Sequence, residues 1–281
     1  MKKTYLILCA FFLSLSIYAQ SAWTQKKNEW YVQAGFSNIN EYSRLFGTND
    51  NTYRTSRKIT DNTLQIYAKY GITDKTTVLI DLPYKILKTG DIVDNPTHPL
   101  TIKEGDFSGL GNITVGVQQK LIDKGVVVSG QLNIGINTSD FDNETGLRTG
   151  YDAWEIIPTI NIGKGWEKVY LQGNFGFNFK TNKYSNSVVA NLEGGIKFIN
   201  RIWVIGGIHV LESFEDGEIA LPMSNLQTGL YLDNQEFIAY GFKILGEITP
   251  KFGAVIGTNS AFSGNLVARK NALSFGIYTK F

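Results

Sequence analysis

The sequence predicts an all-β chain, an antiparallel transmembrane β-barrel of about 12 strands with short periplasmic turns and long extracellular loops. Three observations carry that prediction. Apolar and polar residues alternate with the period of a strand in segment after segment. Beyond the first 19 residues no apolar run approaches the roughly 20 residues that a membrane-spanning helix needs. Short and long polar connections alternate between the segments. A membrane protein without helices must be a closed barrel, because lipid cannot satisfy an open strand edge. Averaging of lipid-facing and lumen-facing residues then explains a mean hydropathy close to zero in a chain that is 13% aromatic.

Lys2 and Lys3, an apolar run from Tyr5 through Leu15, and Ser16-Ile17-Tyr18-Ala19 read as a secretory signal cut after Ala19. Residues 20–281 then form a single barrel domain in the outer membrane of a Gram-negative cell, since no linker or composition shift divides them. Cys9, the only cysteine, lies in the leader, so a small domain stabilised by disulfides is excluded. Removing Lys2 and Lys3 from 27 Lys+Arg leaves 25 against 25 Asp+Glu. A neutral mature chain gives no electrostatic case for nucleic acid as a partner.

The first strand is read over Glu29 to Phe36, with Trp30, Val32, Ala34 and Phe36 opposed to Tyr31, Gln33 and Gly35. Ser37 to Asp61 is polar, has no period and reads as a long loop. In Asn62 to Gly71, Leu64, Ile66, Ala68 and Tyr70 face outward against Gln65, Tyr67 and Lys69. A tight return at Ile72-Thr73-Asp74-Lys75 follows, in which Asp74 bonds its own backbone. Val78, Ile80, Leu82 and Tyr84 then oppose Thr77, Leu79 and Asp81, with Pro83 expected to close the strand and Lys85 to Phe107 to form a long loop. Leu110 to Leu121, a turn at Ile122 to Gly125, and Val126 to Asn137 repeat the rhythm. After the loop Thr138 to Tyr151 come Trp154 to Ile162, a turn at Gly163-Lys164-Gly165, and Val169 to Phe179, where Tyr170, Gln172, Asn174 and Asn178 face inward. Val188 to Phe198 and Ile202 to Leu211, joined at Asn200-Arg201, bring the count to nine.

Parity decides the remainder. Leu226 to Leu232, Phe237 to Ile248, Phe252 to Thr258 and Asn271 to Phe281 would together make thirteen strands. Bacterial single-chain barrels are even, so Leu226 to Leu232 is assigned to one long external loop, Glu212 to Gln235. Trp30, Tyr70, Tyr84, Trp154, Trp166, Phe198 and Phe252 fall at strand ends, where amphipathic rings sit at the two interfaces. A soluble secreted sandwich would also alternate, but would turn its apolar face inward. Leu273, Phe275, Ile277, Thr279 and Phe281 share one face of a closing strand that resembles those of bacterial outer-membrane barrels. That resemblance implies that Phe281 is an insertion signal and that the barrel-assembly machinery is a partner.

Several segments resemble one family, the outer-membrane transporters named for the MetA pathway of phenol degradation. They are Ala22-Trp23-Thr24-Gln25; Tyr70-Gly71-Ile72-Thr73-Asp74-Lys75 followed by Leu82-Pro83-Tyr84; Gly109 to Gly116; Thr149-Gly150-Tyr151-Asp152-Ala153-Trp154; and the closing strand. The resemblance implies passage of small, often hydrophobic or aromatic molecules across the outer membrane.

No residue pattern argues for an enzyme. His209 and Ser213 share a strand face but stand roughly 13 Å apart, too far for a base and its nucleophile. His98 lies in a loop flanked by Pro96 and Pro99. Asp140-Phe141-Asp142-Asn143-Glu144 lacks the Gly and Glu of a calcium loop, with Thr145 and Tyr151 in their places, and reads as a solvated acidic loop. No His/Cys cluster suggests zinc, and no cofactor is expected. The inward residues are mostly neutral amides, with Lys69, Asp81, Lys120, Glu155, Glu193 and Lys197 balanced and expected to pair. The reading is a narrow channel for small, weakly charged or aromatic solutes, with Tyr67, Tyr170 and Trp203 on the solute path and either loops or Gln20 to Asn28 as a partial plug. A non-conducting barrel that acts through its long loops is the alternative.

Overall fold

The computed structural model describes residues 21–47 and 51–281, and the expected leader lies outside them. Its strands are β1 (Trp30–Phe46), β2 (Thr52–Gly71), β3 (Thr76–Ile92), β4 (Gly105–Leu110), β5 (Ile113–Asp123), β6 (Val127–Ile136) and β7 (Glu155–Gly165). They continue with β8 (Val169–Lys180), β9 (Ser187–Ile199), β10 (Ile202–Ser213), β11 (Glu236–Glu247), β12 (Phe252–Asn265) and β13 (Ala272–Lys280). The short helix α1 (Met223–Leu226) lies between β10 and β11. β13 pairs antiparallel with β1, so the sheet closes on itself. β3 pairs with β4 along its outer part and with β5 along its inner part. β4 and β5 are therefore two lengths of one wall strand, and the barrel has 12. Leu226 to Leu232 contributes no strand, as parity required.

The break between β4 and β5 has a local cause. Pro83 does not close β3 as expected; it stands inside it, opposite Gln65 of β2. A proline has no N–H to give a neighbouring strand, and it is tolerated where the ladder is interrupted. That interruption is Gly111-Asn112. Gly111 donates its N–H to the Pro83 carbonyl at 2.9 Å, and a Cβ there would stand 3.1 Å from both the Pro83 ring and the Thr149 carbonyl. Asn112 sends its side-chain amide to the carbonyls of Tyr151 and Ala153 at 2.8 and 3.1 Å, so a loop takes the place of a paired strand.

The outer ends of three strands also depart from expectation. Ser37 to Asp61 is not a long loop, since β1 runs to Phe46 and β2 starts at Thr52; likewise β3 continues past Lys85 to Ile92. Along these ends the buried face is apolar as well, so the alternation that reveals a spanning strand fades. Register shifts between Ile39 and Arg44 blur it further. Their buried residues Ile39, Tyr42, Leu45, Ile59 and Leu87 form a cluster with Leu147 and Leu230 from the loops and with Ala272. β7 extends through Gly163-Lys164-Gly165, and the turn lies at residues 166–168 instead.

The distribution of side chains is inverted relative to a water-soluble protein. Ile66, Phe175, Leu192 and Phe275 are 51%, 52%, 51% and 56% exposed, whereas Gln118, Ser129 and Asn161 are fully buried. The apolar face is the outer one, which rules out the sandwich.

Candidate functional site

The periplasmic mouth is occupied by the stretch before β1. Ala22 donates its N–H to Gln172 Oε1 (3.3 Å) and accepts from Ser129 Oγ at its carbonyl (3.1 Å). The Ser21 carbonyl accepts from Gln118 Nε2 (2.6 Å), and the Gln25 N–H donates to Thr77 Oγ1 (2.8 Å). Gly163 leaves the room: a Cβ there would stand 2.8 Å from that of Ala22 and 3.0 Å from the Trp23 ring. The amides of β5 and β8 and the serine of β6 thus hold a segment that leads into β1, on the other side of the barrel.

The external mouth is closed by loops. Lys85 and Asp61 pair at 2.9 Å, and the Lys85 ammonium lies over the Tyr231 ring at 5.5 Å. Arg148 donates from Nε to Asn225 Oδ1 at 3.2 Å. Thr101 donates its N–H to Gln227 Oε1 (2.8 Å), and Thr228 Oγ1 donates to the Gly146 carbonyl (2.9 Å). These bonds join three loops over the apolar cluster.

Between the closures the wall has two characters. Along β5 to β9 it is a ladder of amides: Gln118 bonds Ser129 (2.8 Å), Gln131 bonds Asn133 (2.9 Å) and Asn191 bonds Asn174 (2.8 Å). On β1, β10, β12 and β13 the inward positions include Gly35, Gly207, Gly257 and Gly276, which project no side chain. At Gly35 a Cβ would meet nothing nearer than 3.7 Å.

Tyr170 and Trp203 come together, ring centroids 5.6 Å apart, and Trp23 lies 6.1 Å from Tyr170. Tyr170 donates its hydroxyl to Glu193 (2.8 Å), and Trp203 donates Nε1–H to Glu247 (3.2 Å). Tyr67 stands apart from them, on the side of Tyr31 (6.4 Å) and, beyond it, Tyr278 (5.6 Å from Tyr31). Sequence reasoning missed Trp23, Tyr31 and Tyr278 as lumen aromatics, although the parity of Tyr31 and Tyr278 carried the signal. It also missed that Tyr170 lies across Gly195, where a Cβ would meet the ring at 2.2 Å. Such a contact depends on register, which periodicity alone does not give.

The expected internal charge pairing holds in part. Glu193 meets Lys243 (2.9 Å), Lys197 meets Glu247 (3.4 Å) and Lys120 meets Asp123 (2.7 Å). Glu155 instead accepts from the Asn178 amide, Asp81 accepts from Gln65 at both oxygens, and Lys69 meets no carboxylate among the described residues. His209 bonds Asn191 through Nδ1 and lies 5.0 Å from the Phe237 ring, while Ser213 turns to Asn234. His98 lies against Tyr53 at 5.7 Å. Asp142 accepts from the Thr145 hydroxyl (2.5 Å) and N–H (3.0 Å), which holds its carboxyl below the usual range and fixes the turn. Among the described residues no group of three or more His, Cys, Asp or Glu is placed to hold a metal ion.

A family model described as "Putative MetA-pathway of phenol degradation" matches residues 46–220, more than half of the chain. The chain belongs to this family. Among solved structures it is similar to the COG4313 outer membrane channel from Pseudomonas putida F1, with TM-score 0.73 and 14% identity over 94% of this chain and 100% of that one. The NalP autotransporter translocator domain from Neisseria meningitidis gives 0.54 and 8% over 92% and 90%, and the NanC porin 0.52 and 9% over 90% and 100%. At such identities the likeness is one of fold. These structures are a channel, a translocator and a porin, not enzymes. No curated protein matches the chain. This member of the phenol-degradation family is an outer-membrane β-barrel embedded in the lipid bilayer.

Proposed function

We propose that this protein is a narrow outer-membrane channel for passive passage of small, weakly charged or aromatic solutes. The supporting observation is that the lumen is occluded by a separable segment. Residues 21–25 are held by hydrogen bonds to wall side chains, and above them lie an aromatic run and a wall partly bare of side chains. Tyr67, Tyr170 and Trp203 contact the solute on this reading, and no catalytic step or cofactor is involved because the flow is diffusive. Residues 20–281 act as one domain after removal of the leader, and Phe281 serves the barrel-assembly machinery as the insertion signal. The family's link to phenol degradation and the P. putida channel's fold support this class of role.

The test is single-channel conductance of the refolded mature protein in a planar bilayer, with liposome swelling against small phenols and sugars. Discrete, small conductance steps and phenol-selective swelling are expected, and both should increase several-fold when residues 21–25 are deleted. The closure of both mouths favours a second reading, a barrel that works through its external loops. A folded barrel that stays silent in both forms would establish that one in its place.

A further inference from the structure

Lys69 is 3% exposed and faces the lumen one pleat above Gly71, where the chain before β1 closes the mouth. Five other inward lysines have an oxygen partner: Lys85 has Asp61, Lys120 has Asp123, Lys197 has Glu247, Lys243 has Glu193 and Lys180 has the Ser185 carbonyl, while Lys280 is exposed at the strand end and lies over the Tyr278 ring at 5.3 Å. Lys69 has none among the described residues; its ammonium lies 5.9 Å from the centre of the Tyr67 ring. The nearby Asp81 carboxylate is engaged by the Gln65 amide at 2.8 Å, and it makes no ion pair with Lys69. The Lys69 nitrogen is not among the fully enclosed unpaired atoms, so it meets the lumen with three N–H bonds to give to an acceptor that enters there. Among the described residues the Tyr67 hydroxyl has no hydrogen-bond partner, while the Tyr31 hydroxyl is taken by Gln33 (2.6 Å). The Tyr31 and Tyr67 rings, 6.4 Å apart and set edge to face at 69°, form an apolar corner, and Gly35 on the same wall projects no side chain, with nothing nearer than 3.7 Å to where its Cβ would be.

We infer that Lys69 and Tyr67 form an anion subsite in the lumen for a small arene carboxylate. The carboxylate accepts from the Lys69 ammonium and the Tyr67 hydroxyl, and the ring lies against Tyr31 and Tyr67. This inference rests on the channel reading and narrows its solute class. Such a ligand stays ionised at neutral pH, which separates it from a neutral aromatic of the same shape.

Benzoate and its neutral isostere benzamide are the probes, used on the refolded full mature chain. In liposomes, Lys69→Met should lower the ratio of benzoate to benzamide flux about tenfold, as expected for loss of a charge-assisted bond. Lys69→Arg should retain most of the ratio, and Tyr67→Phe should lower it less than Lys69→Met. Calorimetric titration of the protein in detergent micelles reads the same site without requiring transport. Saturable benzoate binding that weakens about tenfold in Lys69→Met supports the subsite. Equal affinities for benzoate and benzamide, no saturable benzoate binding, or an unchanged affinity in Lys69→Met would overturn it. Binding in micelles with no flux of either probe would instead sink the channel reading and leave the subsite standing.

Discussion

Asp61 and Lys85 pair at 2.9 Å with 11% and 13% of their side chains exposed, so neither can turn to bulk water if the other is removed. Asp61→Asn should therefore cost about 3–5 kcal/mol, measured as a fall in the urea unfolding midpoint in micelles, and Lys85→Met added to it should restore most of that loss. Gly195→Ala would place a Cβ 2.2 Å from the Tyr170 ring and push the ring off the wall, at about 1–3 kcal/mol in the same assay. Asp142 carries a pH dependence of known sign. Its carboxyl is held below the usual range by Thr145, so the turn it makes is fully supported at neutral pH and loses that support as pH falls through the depressed value. A fall in the protection factor of the Thr145 amide on acidification, measured against its intrinsic exchange rate and absent in Asp142→Asn, would check it. The parity of Tyr67, Tyr170 and Trp203 was legible in the sequence, because alternation assigns a face. Their neighbours were not, because Tyr170 meets Trp203, and Tyr67 meets Tyr31, only through pairings between strands.

At the scale of elements, the segments that cross lipid were the readable ones. β8 alternates apolar and polar residues from Val169 to Phe179 because one face meets hydrocarbon and the other meets amides. The outer ends of β1 to β3 lack that contrast. Tyr42, Leu45, Ile59 and Leu87 look like stray apolar residues until the loops that cover them are in place. Pro83 misled for a related reason, since its tolerance depends on a break in the next wall strand, at Gly111. Gly111→Ala should crowd the Pro83 ring and the Thr149 carbonyl and loosen the loop that Thr149 anchors. Faster proteolysis within residues 138–153, with the barrel otherwise intact, is the expected result.

For the molecule as a whole, closure rests on the first and last strands. Trp30 and Phe281 exchange backbone hydrogen bonds at 2.7 and 3.2 Å, and their rings stack at 6.3 Å. Phe281→Ala should leave the folded barrel with nearly its original thermal stability in micelles but reduce the fraction recovered in outer membranes several-fold, the signature of a defect in assembly and not in packing. The strand count was legible because an even number is imposed on the whole wall, whatever a single segment looks like. A plug from the stretch before β1 was expected, but the wall residues that hold it and the loop contacts over the external mouth were not legible, because docking of irregular chain has no periodicity. The stretch from Ser21 to Gln25 is covalently joined to β1 yet bound to β3, β5, β6 and β8, so it behaves as a tethered ligand of its own lumen. A short tether gives such a ligand an effective concentration on the order of millimolar. A free solute competing for those amides is outnumbered until its own concentration is comparable, and a pull on the chain from the periplasm would release the lumen without any competitor.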